Sequence, residues 1–177
     1  MEPDYPSYKQ TLERDGCVLI KNFYCPEAFV PFKAAIVRIV AILHQKHRGR
    51  PLPSQAFDSA AFQDAYMQMM HEDRRLGSVV YDAIKQVPEF SRFTVSEQHL
   101  ALARALRNSD FMGITRAGDG IRIDLPNEAK FMAPWHQDYI TQLGSLDGLV
   151  FWVPLMPATQ ENGAVEVAVG SHREGPL

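Results

Sequence analysis

The spacing of apolar residues changes part-way along this chain, and that change constrains the fold more than any other feature. After Pro26, residues Phe29, Phe32, Ile36, Ile39, Val40 and Leu43 recur at three- and four-residue steps. That spacing predicts a helix with one buried stripe, and proline suits its first position. His44 and His47 fall at its polar C-terminal end, where cationic side chains favour the helix dipole. A loop with Pro51 and Pro53 follows, and helical patterns resume over 58–75, 78–86 and 96–107, the last with Ser96 as its cap. From Ile121 the period becomes two. Ile121-Arg122-Ile123-Asp124-Leu125 alternates apolar and polar, as a half-buried strand does.

Further extended segments are expected over 131–139, 148–155 and 164–169, separated by turns at Pro126-Asn127, Glu161-Asn162-Gly163 and Gly170-Ser171-His172. Near the start, the apolar run 16–21 reads as one more buried strand. Short strands between turns point to a sandwich or barrel. No repeat or low-complexity segment interrupts the pattern, so 1–177 is expected to be a single domain, helical over about 22–110 and stranded over about 111–177.

Composition narrows the function. The net charge is -3 with basic residues scattered among the acids, so no basic face is expected for nucleic acid or an anionic membrane. The longest apolar stretch is interrupted by Lys33 and Arg38, and it reads as a core helix and not a membrane span. Two cysteines, Cys17 and Cys25, are too few for a disulfide framework, which predicts a reduced, cytoplasmic protein. His71 and His99 lack a second ligand type at helical spacing and read as surface or capping residues.

The chemistry concentrates in Trp135-His136-Gln137-Asp138. On an extended segment, residues two apart share a side, so His136 and Asp138 converge while Gln137 faces away. An imidazole and a carboxylate on one side are two of the three ligands in a 2-His-1-carboxylate iron site. Taken alone, His-x-Asp also fits a surface pair with hydrogen-bonding roles.

The surrounding motifs resemble the phytanoyl-CoA dioxygenase family. The similar segments are Asp15-Gly16-Cys17-Val18-Leu19-Ile20 with Phe23-Tyr24, then Arg122-Ile123-Asp124 before Trp135-His136-Gln137-Asp138-Tyr139. Phe151-Trp152-Val153-Pro154-Leu155, Glu161-Asn162-Gly163-Ala164 and Gly170-Ser171-His172 follow in the same order. The resemblance implies a double-stranded β-helix (jelly roll) with N-terminal helices, an α+β or mainly β fold.

It also implies Fe(II) held by His136 and Asp138, 2-oxoglutarate as cosubstrate, and O2. The expected reaction hydroxylates a small molecule and releases succinate and CO2. Asp138 favours hydroxylation, because halogenating relatives lack the carboxylate. Trp152 matches a position placed against 2-oxoglutarate, or is a core tryptophan. Arg122 reaches the cosubstrate or pairs with Asp124, the latter being favoured. His172 belongs to a structural turn.

In the family the second histidine ligand and the arginine that binds 2-oxoglutarate come several strands later, so the resemblance implies that neither falls within residues 1–177. The C-terminal strands are therefore expected to be missing, and this chain is expected to be inactive by itself. The alternative is a truncated or degenerate, non-catalytic member that binds a small molecule or a protein. The substrate and the oligomeric state are not legible.

Overall fold

The computed structural model describes residues 3–115, 118–125, 128, 133–139, 145 and 147–175. Among the described residues the helices that carry the fold are α1 Tyr5–Asp15, α2 Val30–Arg48, α3 Ala60–Glu72, α4 Arg75–Ile84, α5 Pro88–Thr94 and α6 Glu97–Arg107. A 3-10 turn, Pro26–Phe29, leads into α2, and two more, Gln160–Asn162 and Ser171–Glu174, lie in the second part of the chain.

Helix α2 lies at the centre of the core. Its stripe buries Phe32, Ala35, Ile36, Val37, Val40 and His44, and it packs against α3, α4 and α5 while α1 lies along α6. Phe62, Met69 and Met70 from α3 and Val80 and Ile84 from α4 are fully enclosed. Each such side chain contributes about 1.5–3 kcal/mol on burial. Phe32 stacks on Phe93 at 5.7 Å between ring centroids and meets Phe90 at 5.6 Å, which closes α5 over α2. Gly77 lets α4 pass close to α3, since a Cβ there would meet the Met70 side chain at 2.6 Å.

The helix ends follow the expected capping chemistry. Ser96 accepts from the His99 amide at the start of α6, and Ser59 caps α3 in the same way. Two helices escape the sequence reading. Helix α1 has no buried residue, so it shows no apolar stripe, and its signals are only the Asp4 cap, Pro6 and a left-handed Gly16 at the C-terminus. Helix α5 is seven residues long, too short for its periodicity to stand out.

The jelly-roll expectation is not met: no described residue lies in a strand. A strand exists only through a ladder with a neighbour, and an alternating sequence specifies which side is buried but not what pairs with it. Segment 121–125 shows the distinction. Ile121 and Ile123 pack on the helical core and Leu125 is buried, whereas Arg122 and Asp124 face out, yet the segment joins no sheet. Segments 148–155 and 164–169 likewise carry no ladder, and Val150, Val165, Val167 and Val169 are exposed. The run 16–21 is no buried strand either, with Leu19 82% exposed. Of the expected segment over 131–139, residues 131–132 lie outside the described residues, as do Pro126 and Asn127.

Specific polar contacts attach this second part to the helices. Arg74 at the start of α4 donates to the Ile123 carbonyl at 3.2 Å and pairs with Glu128 at 3.0 Å. Arg107 at the end of α6 donates to the Gly148 carbonyl at 2.9 Å. The Gly-Ser-His turn docks on the end of α1.

Candidate metal centre

His136 and Asp138 meet. The imidazole Nε2 lies 3.3 Å from a carboxylate oxygen of Asp138, and both side chains are a little under half exposed. The convergence arises locally. His136 sits in non-helical backbone just after Pro134, and helical backbone begins at Asp138. The other ring nitrogen of His136, Nδ1, is 2.7 Å from the Pro134 carbonyl. A carbonyl only accepts, so Nδ1 carries the hydrogen, and Nε2 is the ring nitrogen on the Asp138 side.

This arrangement fits a divalent metal in two respects. Cis ligands each about 2.1 Å from an ion lie about 3 Å apart, close to the separation of these two donors. A metal-binding histidine also commonly gives its second N–H to a backbone carbonyl, which fixes ring and tautomer, and the Pro134 contact is such a bond. The pair would supply two ligands. Among the described residues no group of three His, Cys, Asp or Glu side chains is placed to hold a metal.

Gln137, between the two, turns elsewhere and donates its amide to the Gly175 carbonyl at 2.9 Å. Arg122 pairs with Asp124 at 2.7 Å, and that hydrogen-bonded carboxylate raises the guanidinium pKa. It lines a cleft of about 470 Å³ with Arg74, Arg75, Ser78 and Tyr81, to which neither His136 nor Asp138 contributes. Trp152 is 46% exposed. Its neighbour Phe151 instead approaches the His99 ring, at 5.1 Å between centroids.

His99 differs from expectation, and His172 does not. His99 is not a surface residue but is 7% exposed, enclosed by Tyr24, Phe93 and Phe151. Its Nδ1 bonds to the Phe93 carbonyl at 2.8 Å, and its Nε2 receives the Tyr24 hydroxyl. Burial lowers its pKa, opposed by the Phe93 carbonyl, and burial raises that of the Tyr24 hydroxyl. The clue was the cluster of aromatics at Phe23, Tyr24, Phe29, Phe90 and Phe93, which needed a tertiary partner. His172 lies far from any ligand role, with Nε2 donating to the Glu13 carbonyl at 3.2 Å.

The comparisons with known proteins agree with the motifs. The family model for phytanoyl-CoA dioxygenase matches residues 12–177, nearly the whole chain. A 1-deoxypentalenic acid 11-beta-hydroxylase from Streptomyces arenae is 41% identical over 49 residues, which is 28% of this chain and 17% of that protein. The enzyme of the same name from Streptomyces exfoliatus matches to the same extent. The alignment thus spans under a fifth of these relatives' length. No solved structure matches the chain. No helix among the described residues is long and apolar enough to cross a membrane. With the family model running from the end of α1 through the His136–Asp138 pair to Leu177, this chain belongs to the phytanoyl-CoA dioxygenase family, a family of oxygenases.

Proposed function

We propose that this chain forms part of an Fe(II)- and 2-oxoglutarate-dependent dioxygenase that hydroxylates a small molecule. The observation that carries the reading is the 3.3 Å approach of His136 Nε2 to the Asp138 carboxylate, with Nδ1 engaged by Pro134. Family membership gives the pair its chemical meaning, and the two hydroxylases among the relatives favour hydroxylation.

In this reading His136 provides a neutral nitrogen ligand and Asp138 an anionic oxygen ligand. Iron, when bound, supplies open positions for 2-oxoglutarate and dioxygen. The chain's own residues orient and expose that site. The Pro134 carbonyl prevents the imidazole from rotating, and the partial exposure of both side chains leaves the metal face open to small molecules. Trp152, exposed on the segment that sends Phe151 toward the helices, is available to pack against the cosubstrate. Arg122 is engaged by Asp124.

The test is 2-oxoglutarate turnover in the full-length gene product. Fe(II)-dependent formation of succinate, abolished by Asp138→Ala, is the expected result. Absence of succinate with every candidate substrate would favour a non-catalytic binding module, with His136 and Asp138 as a hydrogen-bonded pair.

A further inference from the structure

The geometry points to Gln137 as a positioning residue that ties the metal pair to the C-terminal end of α1, an inference that rests on the metal reading above. An α-helix ends with four carbonyls that lack intrahelical partners. In α1 all four are occupied. The Leu12 carbonyl accepts from the Gly16 amide at 2.8 Å, and the Glu13 carbonyl accepts from His172 Nε2 at 3.2 Å. The Arg14 carbonyl accepts from the Arg173 guanidinium at 2.8 Å, and the Asp15 carbonyl accepts from the Gly170 amide at 2.8 Å.

Three of these four donors come from one turn, 170–173, more than 150 residues away in sequence. The negative end of the helix dipole also favours the Arg173 cation. The turn is therefore held at both its start and its middle. Two residues after Arg173 comes Gly175, whose carbonyl receives the Gln137 amide at 2.9 Å.

The path from helix to metal pair is short and made of hydrogen bonds: α1 carbonyls, the 170–173 turn, the Gly175 carbonyl, then Gln137. Gln137 lies between the two ligands. Fixing its side chain on the Gly175 carbonyl holds the backbone that aims both of them. The hydrogen bonds that hold α1 and the turn together reach the pair through Gln137. The tether is neutral and needs a donor at position 137. A side chain of similar length without N–H groups keeps the packing and loses the bond.

Co(II) titration of the 177-residue chain, followed by its visible absorption, tests this in wild type, Gln137→Met, Arg173→Ala and the double variant, with melting temperatures measured alongside. The expected result is about tenfold weaker Co(II) binding in Gln137→Met, the scale typical of residues that orient ligands, with the melting temperature nearly unchanged. Arg173→Ala should weaken binding by a smaller factor. The double variant should match Gln137→Met within about twofold, because two links of one path are not additive.

Wild-type affinity in Gln137→Met, or fully additive losses in the double variant, would overturn the tether while leaving the metal pair intact. Where Gln137→Met lowers the melting temperature as well, Gln137→Glu decides. It places an acceptor against the Gly175 carbonyl and should weaken Co(II) binding, despite adding negative charge beside the ligands. Tighter binding there overturns the tether. His136→Ala is the control for the underlying reading. If it binds Co(II) as wild type does, or if wild type binds none, the metal assignment itself falls.

Discussion

The His172 ring occupies the space beside Gly16 where a side chain would begin: a Cβ on Gly16 would lie 2.8 Å from the ring's Cγ. Gly16 has φ +77° and terminates α1 in the left-handed region, so the helix end and the docked turn both require glycine there. Gly49 ends α2 in the same conformation, φ +68°, but has open space around its Cα. Both glycine-to-alanine changes should cost about 1–2 kcal/mol for the backbone. Gly16→Ala should cost more, because it must also displace His172. Melting temperatures check this, at about 2–4 °C per kcal/mol for a chain of this size. A His172→Ala background should remove the excess at Gly16 and leave Gly49→Ala unaffected.

His99 should make stability depend on pH. Burial lowers its folded pKa below the ordinary histidine value of 6.5, while the unfolded chain keeps that value. Between the two, the unfolded state binds more protons, so stability rises with pH there. The contribution is complete above about 6.5 and is lost as pH falls toward the lowered value. Denaturant midpoints measured across this window should decline on the acid side, and less steeply in His99→Gln. A decline of the same steepness in the variant would assign the effect elsewhere. Tyr24→Phe should cost about 1–3 kcal/mol by leaving Nε2 without its donor.

Two arginines of the cleft beside α4 should behave differently. Arg122 and Asp124 are each about half exposed, 51% and 44%, and such pairs contribute about 0–1 kcal/mol. Arg74 is less exposed and serves two acceptors on the second part of the chain, Glu128 and the Ile123 carbonyl. Arg74→Met should therefore destabilise by about 1–3 kcal/mol, and Arg122→Met by less than about 1. Equal effects in chemical denaturation would contradict this ranking.

What could be read from residues alone follows physical locality. Helices α2, α3, α4 and α6 announce themselves by apolar spacing and, at Ser96, by a cap, since these are interactions within one segment. The approach of His136 to Asp138 is a relation within one short segment, but the extended backbone expected to produce it is not met, since helical backbone begins at Asp138. Trp152 and Arg122 were ambiguous, because their surroundings are set by other segments. The strands were misjudged because a ladder is a relation between segments. His99 was misjudged because its aromatic enclosure is gathered from α5, α6, Tyr24 and Phe151. The capping of α1 by the 170–173 turn spans nearly the whole chain and leaves no local trace beyond Gly16 and Gly170.

The pairing of His136 with Asp138 as iron ligands is most directly tested by anaerobic absorption spectroscopy of the full-length gene product with Fe(II) and 2-oxoglutarate. A chelated 2-oxoglutarate on ferrous iron gives a visible charge-transfer band. The band should appear in the wild-type protein and be absent from both His136→Ala and Asp138→Ala, with folding unchanged by circular dichroism. No band in wild type, or a band of full intensity in either variant, would contradict the assignment of this pair to iron.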